Sequence, residues 1–329
     1  PVASETDSRV SRPRKPARPR ARPPEYSSAM HGRQYRSMIV VFLLPAFLFC
    51  LVLFVYPAVS AFYVSLNEWS GFTPHMKFIG LGNFQELFRN TFFWRSVLPT
   101  TAKIIFVGGV LVFAFSFLLA GILHAGVRGK GFLRGVLFFP SLLSQVAIVV
   151  FWGFIYNKNW GLLNGFLRLV GLGMIQPTWT STDHIFGSAL FVQVWANVGF
   201  YCLILLAALD RIPPSLIDAA KVEGAGDLTT FFRIKIPLIW DVMVTSIVLW
   251  GISAVKAFGI FYAFVGPSAS TPLPLRNIAV YLYITAFGDK GGGSFRMGYA
   301  TSMGIFMFLL IAALYLLVTA IGRREKVEY

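Results

Sequence analysis

Apolar residues in this chain run in long, nearly uninterrupted stretches separated by short polar segments. Six stretches approach or exceed the roughly 20 residues that cross a bilayer as a helix: 38–64, 98–124, 133–156, 185–209, 238–265 and 297–321. Pro45 and Pro57 lie in or near the end of the first. A spanning helix tolerates proline where neighbours or water satisfy the freed backbone groups. The pattern predicts an all-α polytopic membrane protein with six transmembrane helices, residues 38–322 forming its membrane domain.

One linking segment, 210–237, breaks the pattern because it is charged yet helix-competent. Pro213-Pro214 end the fourth span. Ser215 is expected as an N-cap with Asp218 as its capping-box partner, opening a helix that runs to Glu223. Gly224 and Gly226 break that helix. Asp227 is expected to cap a second helix, Leu228 to Ile236, before Pro237 leads into the fifth span. Ile217, Ala220, Phe231 and Phe232 offer apolar contact, and the small Ala219 and Ala225 permit close approach.

Composition agrees with a bilayer as solvent. Of 329 residues, 56% are hydrophobic, 16% aromatic and 13% charged, against about 25% charged in soluble domains. The net charge of +15 does not point to nucleic acid, because its distribution is that of a membrane protein. Nine of the 29 Lys/Arg lie in residues 1–37, a Pro/Arg-rich segment without apolar periodicity that reads as a disordered cytoplasmic tail. No signal-peptide pattern of short apolar core and small-residue cleavage site follows it. With that tail inside, cytoplasmic segments hold 19 Lys/Arg and outer segments eight. The positive-inside rule thus favours both termini in the cytoplasm, including the short end 323–329. Basic residues beside the first span also suit contact with anionic lipid.

Cys50 and Cys202 both fall in apolar runs, and four scattered histidines lack metal-ligand spacing, so neither a disulfide framework nor a metal site is expected. The outer loops 65–97, 157–184 and 266–296 contain Trp69, Trp94, Trp160 and Trp179, which suit an interfacial aromatic belt or a docking surface for an external partner. Gly288-Asp-Lys-Gly-Gly-Gly-Ser294 lacks the order and setting of a phosphate loop, and no Walker A sequence, H-E-x-x-H or G-x-S-x-G occurs. The chain carries no catalytic apparatus of its own and no cofactor site.

Polar residues within spans are costly and mark pathways. The fourth span carries Gln193, Trp195, Asn197 and Tyr201. Gln193 and Asn197 share a helix face. Asn197 lies roughly 20 Å from the inner interface, near the midplane where transporter sites occur. Amides and an aromatic ring suit a sugar's hydroxyls and its C–H face. The alternative is hydrogen bonding and packing between helices. The fifth span carries Trp250, Ser253 and Lys256 at i,i+3 steps. Lys256 either meets an anionic solute or snorkels outward.

Taken together, Asp218-Ala219-Ala220, Glu223, Gly224-Ala225, Phe232, Ile234 and Pro237 resemble the EAA coupling loop of binding-protein-dependent ABC importer permeases of type I. Asp218 stands where that family usually has Glu, and Ile236 replaces its usual Leu. Asn159-Trp-Gly-Leu-Leu-Asn164, Leu209-Asp-Arg-Ile-Pro213 and the six-span layout are similar to the carbohydrate branch, over about residues 38–322. The resemblance implies that ATP and Mg act on two partner ATPase subunits that receive the coupling helices. It also implies a second, different permease chain and an external solute-binding (lipo)protein that delivers sugar. The setting it implies is a bacterial inner membrane, and the mechanism is alternating access. Gln193, Trp195 and Asn197 align with the family stretch that lines the sugar site. Lys256 departs from the neutral residues usual there and leaves acidic or phosphorylated sugars open. A polyol, glycerophosphodiester or amino-sugar permease is the alternative within the family. A stand-alone secondary transporter is the alternative outside it, but it would favour paired intramembrane acids, and Asp241 is the one acid in the spans.

Overall fold

The computed structural model describes residues 28–174, 176–264, 270–289 and 295–322. They divide into two units with the boundary after Pro57. The first unit is helical from Ser28 and becomes apolar at Met38. Residues 28–37, expected to be the end of a disordered tail, are therefore helix. The last preceding proline is Pro24, so nothing in this stretch stops an established helix from extending backward. Residues 1–27 and the end 323–329 lie outside the described residues. The apolar part is α1, Met38–Ser65.

The second unit takes in the end of α1 from Ala58, followed by a hairpin of two-residue strands, β1 Asn67–Glu68 against β2 Lys77–Phe78. Helices α2 Gly82–Arg89 and α3 Phe93–His124 follow. The expected third span, 133–156, is two helices, α4 Lys130–Leu142 and α5 Gln145–Ile155, bent by 102°. The cause is local: Leu143 and Ser144 are extended, and Ser144 Oγ accepts from Ala147 N–H as a fresh N-cap. Apolar periodicity does not register such a break, because the apolar run continues on both sides of it.

Next come α6 Leu162–Leu169, α7 Ile185–Leu209, α8 Pro214–Val222 and α9 (227–238). Helix α10, Trp240–Ala263, is interrupted at 256–258. Helices α11 Ile278–Phe287 and α12 Met297–Gly322 close the chain. Helix α11 lies in a segment expected to be loop. Asn277 caps it by accepting from Val280 N–H at 2.9 Å. At ten residues it is too short to span a bilayer by itself.

Three prolines share one local solution. Pro57, Pro99 and Pro237 each follow a five-residue π-helical turn, Leu51–Val55, Phe93–Val97 and Phe231–Lys235. In each case the residue before the proline donates its N–H five residues back, Tyr56 to Leu51, Leu98 to Phe93 and Ile236 to Phe231. Proline has no N–H and its ring crowds the carbonyl four back. Widening the preceding turn keeps the helix continuous. The second span consequently starts at Phe93 rather than at 98.

Helix α7 is the centre of the second unit. Its N-terminal half packs in a cluster with Ile104, Ile148, Trp152, Trp250 and Phe261. Its C-terminal part, Cys202 to Leu209, packs with Ala120, Leu123 and Ile239.

Candidate functional site

The segment between α7 and α10 forms two helices joined by a left-handed turn. Helix α8 starts from Pro213, with Pro214 in its first turn, where a missing N–H costs nothing. The proline pair therefore sets the start. Ser215 falls inside the helix and does not cap it, contrary to the sequence expectation, and Asp218 completes no capping box. At the other end Gly224 has φ +83°. Its N–H donates to Lys221 O at 3.0 Å and Ala225 N–H donates to Ala220 O at 2.9 Å, the paired bonds of a Schellman cap. Gly226, not Asp227, takes the next cap position, so Asp227 becomes the first residue of α9.

The two faces of this pair differ. Ala220 and Thr230 are buried, and Ala225 is half-buried. Asp218, Ala219, Glu223, Gly224 and Pro237 are exposed. So are three large apolar residues, Val222 at 89%, Leu228 at 75% and Phe232 at 60%. An exposed apolar surface edged by carboxylates is the composition of a partner-binding face. Beneath it, burial lowers the Lys235 ammonium from its ordinary value, with Asp227 opposing and Lys221 adding to the effect.

The polar residues of α7 and α10 fall into two groups. Gln193 is buried, and Trp195 and Asn197 are half-buried. Asn197 Nδ2 donates to Gln193 O at 2.7 Å, which holds the amide against its own helix. Trp195 stacks on Phe151 of α5, with centroids 6.3 Å apart, and meets Trp152 edge-on at 5.4 Å. Trp152 Nε1 is buried with no acceptor among the described residues.

Tyr201, Trp250 and Ser253 form the second group. The Tyr201 hydroxyl lies near Ser253, and its ring lies 6.1 Å from that of Trp250. Trp250 is buried, and its Nε1 donates to Ile105 O at 2.9 Å. The indole lies over Gly108 and Gly109, where a Cβ would come within 2.9 and 2.8 Å of it. It wedges α10 against α3. Ser253 and Lys256 are exposed.

Lys256 stands at the interruption of α10, as the C-cap of Trp240–Val255. Asn277 Nδ2 donates to the freed Ala257 O at 2.6 Å. Gly259 packs on Gln145 so closely that a Cβ there would meet Oε1 at 2.0 Å. The interruptions of the third and fifth spans therefore adjoin. Beside them, the rings of Phe258, Tyr262 and Tyr283 lie 4.9 Å from one another. This group and Phe151–Trp152 are not among the residues singled out in the sequence. An aromatic residue in an apolar run reads as lipid-facing or core, and only the two bends bring these rings to polar neighbours.

The comparisons with known proteins agree with this architecture. Residues 114–327 match the family described as the binding-protein-dependent transport system inner membrane component, and the chain belongs to that family. It is 32% identical to the diacetylchitobiose uptake system permease protein NgcF of Streptomyces coelicolor, over 80% of this chain and 76% of that protein. It is 27% identical to the trehalose/maltose transport system permease protein MalF of Thermococcus litoralis, over 86% of this chain and 93% of that one. A chain of a bacterial ABC transporter that imports the acidic polysaccharide alginate shares the fold, with TM-score 0.75, 20% identity and coverage of 91% and 99%. The chain is thus a multi-pass membrane permease subunit and not itself a catalyst.

Proposed function

We propose that this chain carries a sugar or oligosaccharide across the bacterial inner membrane, as one half of a permease pair driven by two ATPase subunits. Both termini lie in the cytoplasm, and ATP and Mg act on the ATPases alone. The observation that carries the reading is the exposed Asp218–Phe232 face, an acidic and apolar surface on a rigidly capped turn directly joined to α7 and α10. Asp218, Glu223, Val222 and Phe232 meet the ATPase, and Gly224 sets the turn's shape. A binding protein delivers solute from outside, as the diacetylchitobiose and trehalose/maltose relatives make reasonable.

Trp195 on Phe151 provides a ring plane for the sugar's C–H face, and the half-buried Asn197 amide offers its remaining hydrogen bonds. Trp250 supports this site from the core. The exposed Lys256 favours an acidic or phosphorylated sugar as a second reading of the cargo. The test is uptake of radiolabelled oligosaccharides into vesicles containing the chain, its permease partner, the ATPases and the binding protein. ATP-dependent accumulation is expected. Accumulation driven by an ion gradient without nucleotide would sink the reading.

A further inference from the structure

Asp210 caps the C-terminal end of α7 and is held by a histidine and two cations from two other elements. His124 Nδ1, at the end of α3, lies 3.0 Å from Oδ1. Lys130 Nζ donates to both carboxylate oxygens at 3.2 and 3.1 Å, and Arg134 Nη2 donates to Oδ2 at 2.8 Å. The charges of Asp210, Lys130 and Arg134 do not suit their own helices. A carboxylate at a helix C-terminus opposes the macrodipole, and so do cations in the first turns of α4. Their placement makes sense across helices rather than within them.

The cluster is only partly open, with side-chain exposures from 17% at His124 to 39% at Arg134. Burial raises the Asp210 carboxyl, but the hydrogen bonds and charges of His124 and Lys130 outweigh it and hold the group below its usual value. A second pin lies further along the same two helices. Gly199 of α7 abuts the backbone carbonyl of Leu137 in α4, where a Cβ would stand 1.7 Å from the oxygen.

These pins have a consequence for motion. Asp210 precedes Pro213 and the start of α8 by only a few residues, with the stiff Pro213-Pro214 pair between. On the other side, α4 ends at the 102° bend, beyond which α5 carries Phe151 and Trp152 to Trp195. We infer that Asp210 is a positioning residue that makes α4 follow the α8–α9 turn, so that displacement of the turn reaches the bend at Leu143–Ser144 as well as α7 and α10. The inference rests on the importer reading above.

The test uses the complete importer in vesicles. Asp210→Asn should keep its membrane level and its ATPase activity but lose about tenfold in solute moved per ATP, and Asp210→Glu should recover most of that loss. Spin labels at Arg128 and Ser215 report the geometry directly. In the unmodified protein their distance should stay narrow and unchanged on ATP binding, and Asp210→Asn should broaden it. A label distance that shifts by several ångström with ATP in the unmodified protein would overturn the inference. Unchanged transport per ATP in Asp210→Asn would do the same, as would a fall in protein level and ATPase activity together that Asp210→Glu does not rescue. Failure of the unmodified assembly to move solute with ATP would instead remove the importer reading. The label distances without nucleotide would still decide whether Asp210 fixes α4 to the turn.

Discussion

Gly199 and Leu137 meet backbone to backbone, with no room for a side chain between α7 and α4. Beside them Ser116 Oγ of α3 donates to Val198 O at 2.9 Å, so three helices are fixed at one level. Gly199→Ala must push α4 away or bend α7. A loss of about 1–3 kcal/mol is expected, read as a lower unfolding temperature in detergent. Gly187→Ala on the same helix meets nothing within 4 Å and should leave that temperature unchanged.

The turn at Gly224 gives a functional prediction. Gly224→Pro loses the N–H that donates to Lys221 O and forbids φ +83°. ATP hydrolysis should continue while uptake falls to background, with the protein still inserted at normal levels. Gly226 has a negative φ of −69° and open space around it, so Gly226→Ala should transport normally. Normal uptake by Gly224→Pro would count against the turn as the coupling element.

Asn277 joins the interruption of α10 to α11 by donating to Ala257 O at 2.6 Å and capping α11 through Val280 N–H. It is fully buried. Asn277→Ala leaves a buried carbonyl and an amide unpaired and should cost about 1–3 kcal/mol. Hydrogen exchange at residues 256–259 and 278–281 should speed up ahead of the rest of the protein.

Lys256 tests cargo charge. It ends the first part of α10 beside the aromatic group and is exposed. Lys256→Gln should reduce uptake of uronic or phosphorylated sugars more than that of neutral ones of equal length. An unchanged ratio between them would remove the lysine from selectivity.

Acid should loosen the contact between α2 and the start of α12. Glu86 accepts from Arg296, with Nη1 to Oε1 at 2.6 Å. The Arg296 hydrogen bond holds the Glu86 carboxyl below its usual value, burial opposing it and the guanidinium charge reinforcing it. A carboxyl lowered in the folded state contributes fully above its unfolded pKa, and that contribution is lost as pH falls through the folded one. Both partners are nearly half exposed, so the pair is worth at most about 1 kcal/mol. Arg296→Gln should flatten the dependence of unfolding temperature on pH below about 5.

Much of this protein was legible in its sequence. The length of the apolar runs requires helices, because backbone groups in hydrocarbon must be satisfied within one segment. The spacing of Asp218, Gly224 and Pro237 marked the turn, since only glycine takes φ +83° without strain. Local competition misled where two caps were available: Pro214 at the first helical turn overrode Ser215, and Gly226 displaced Asp227. What the tertiary structure alone decided is where the spans break and what the breaks bring together. The bend at Leu143–Ser144, the interruption at Lys256 and the contact of Gly259 with Gln145 leave no trace in hydrophobic periodicity. Nor does the pairing of Asp210 with His124, Lys130 and Arg134, residues more than 70 positions apart. Apolarity tells a segment to enter the bilayer, and it continues on both sides of a bend. Which carbonyl, ring or charge it meets there depends on contacts between segments that no single stretch of sequence encodes.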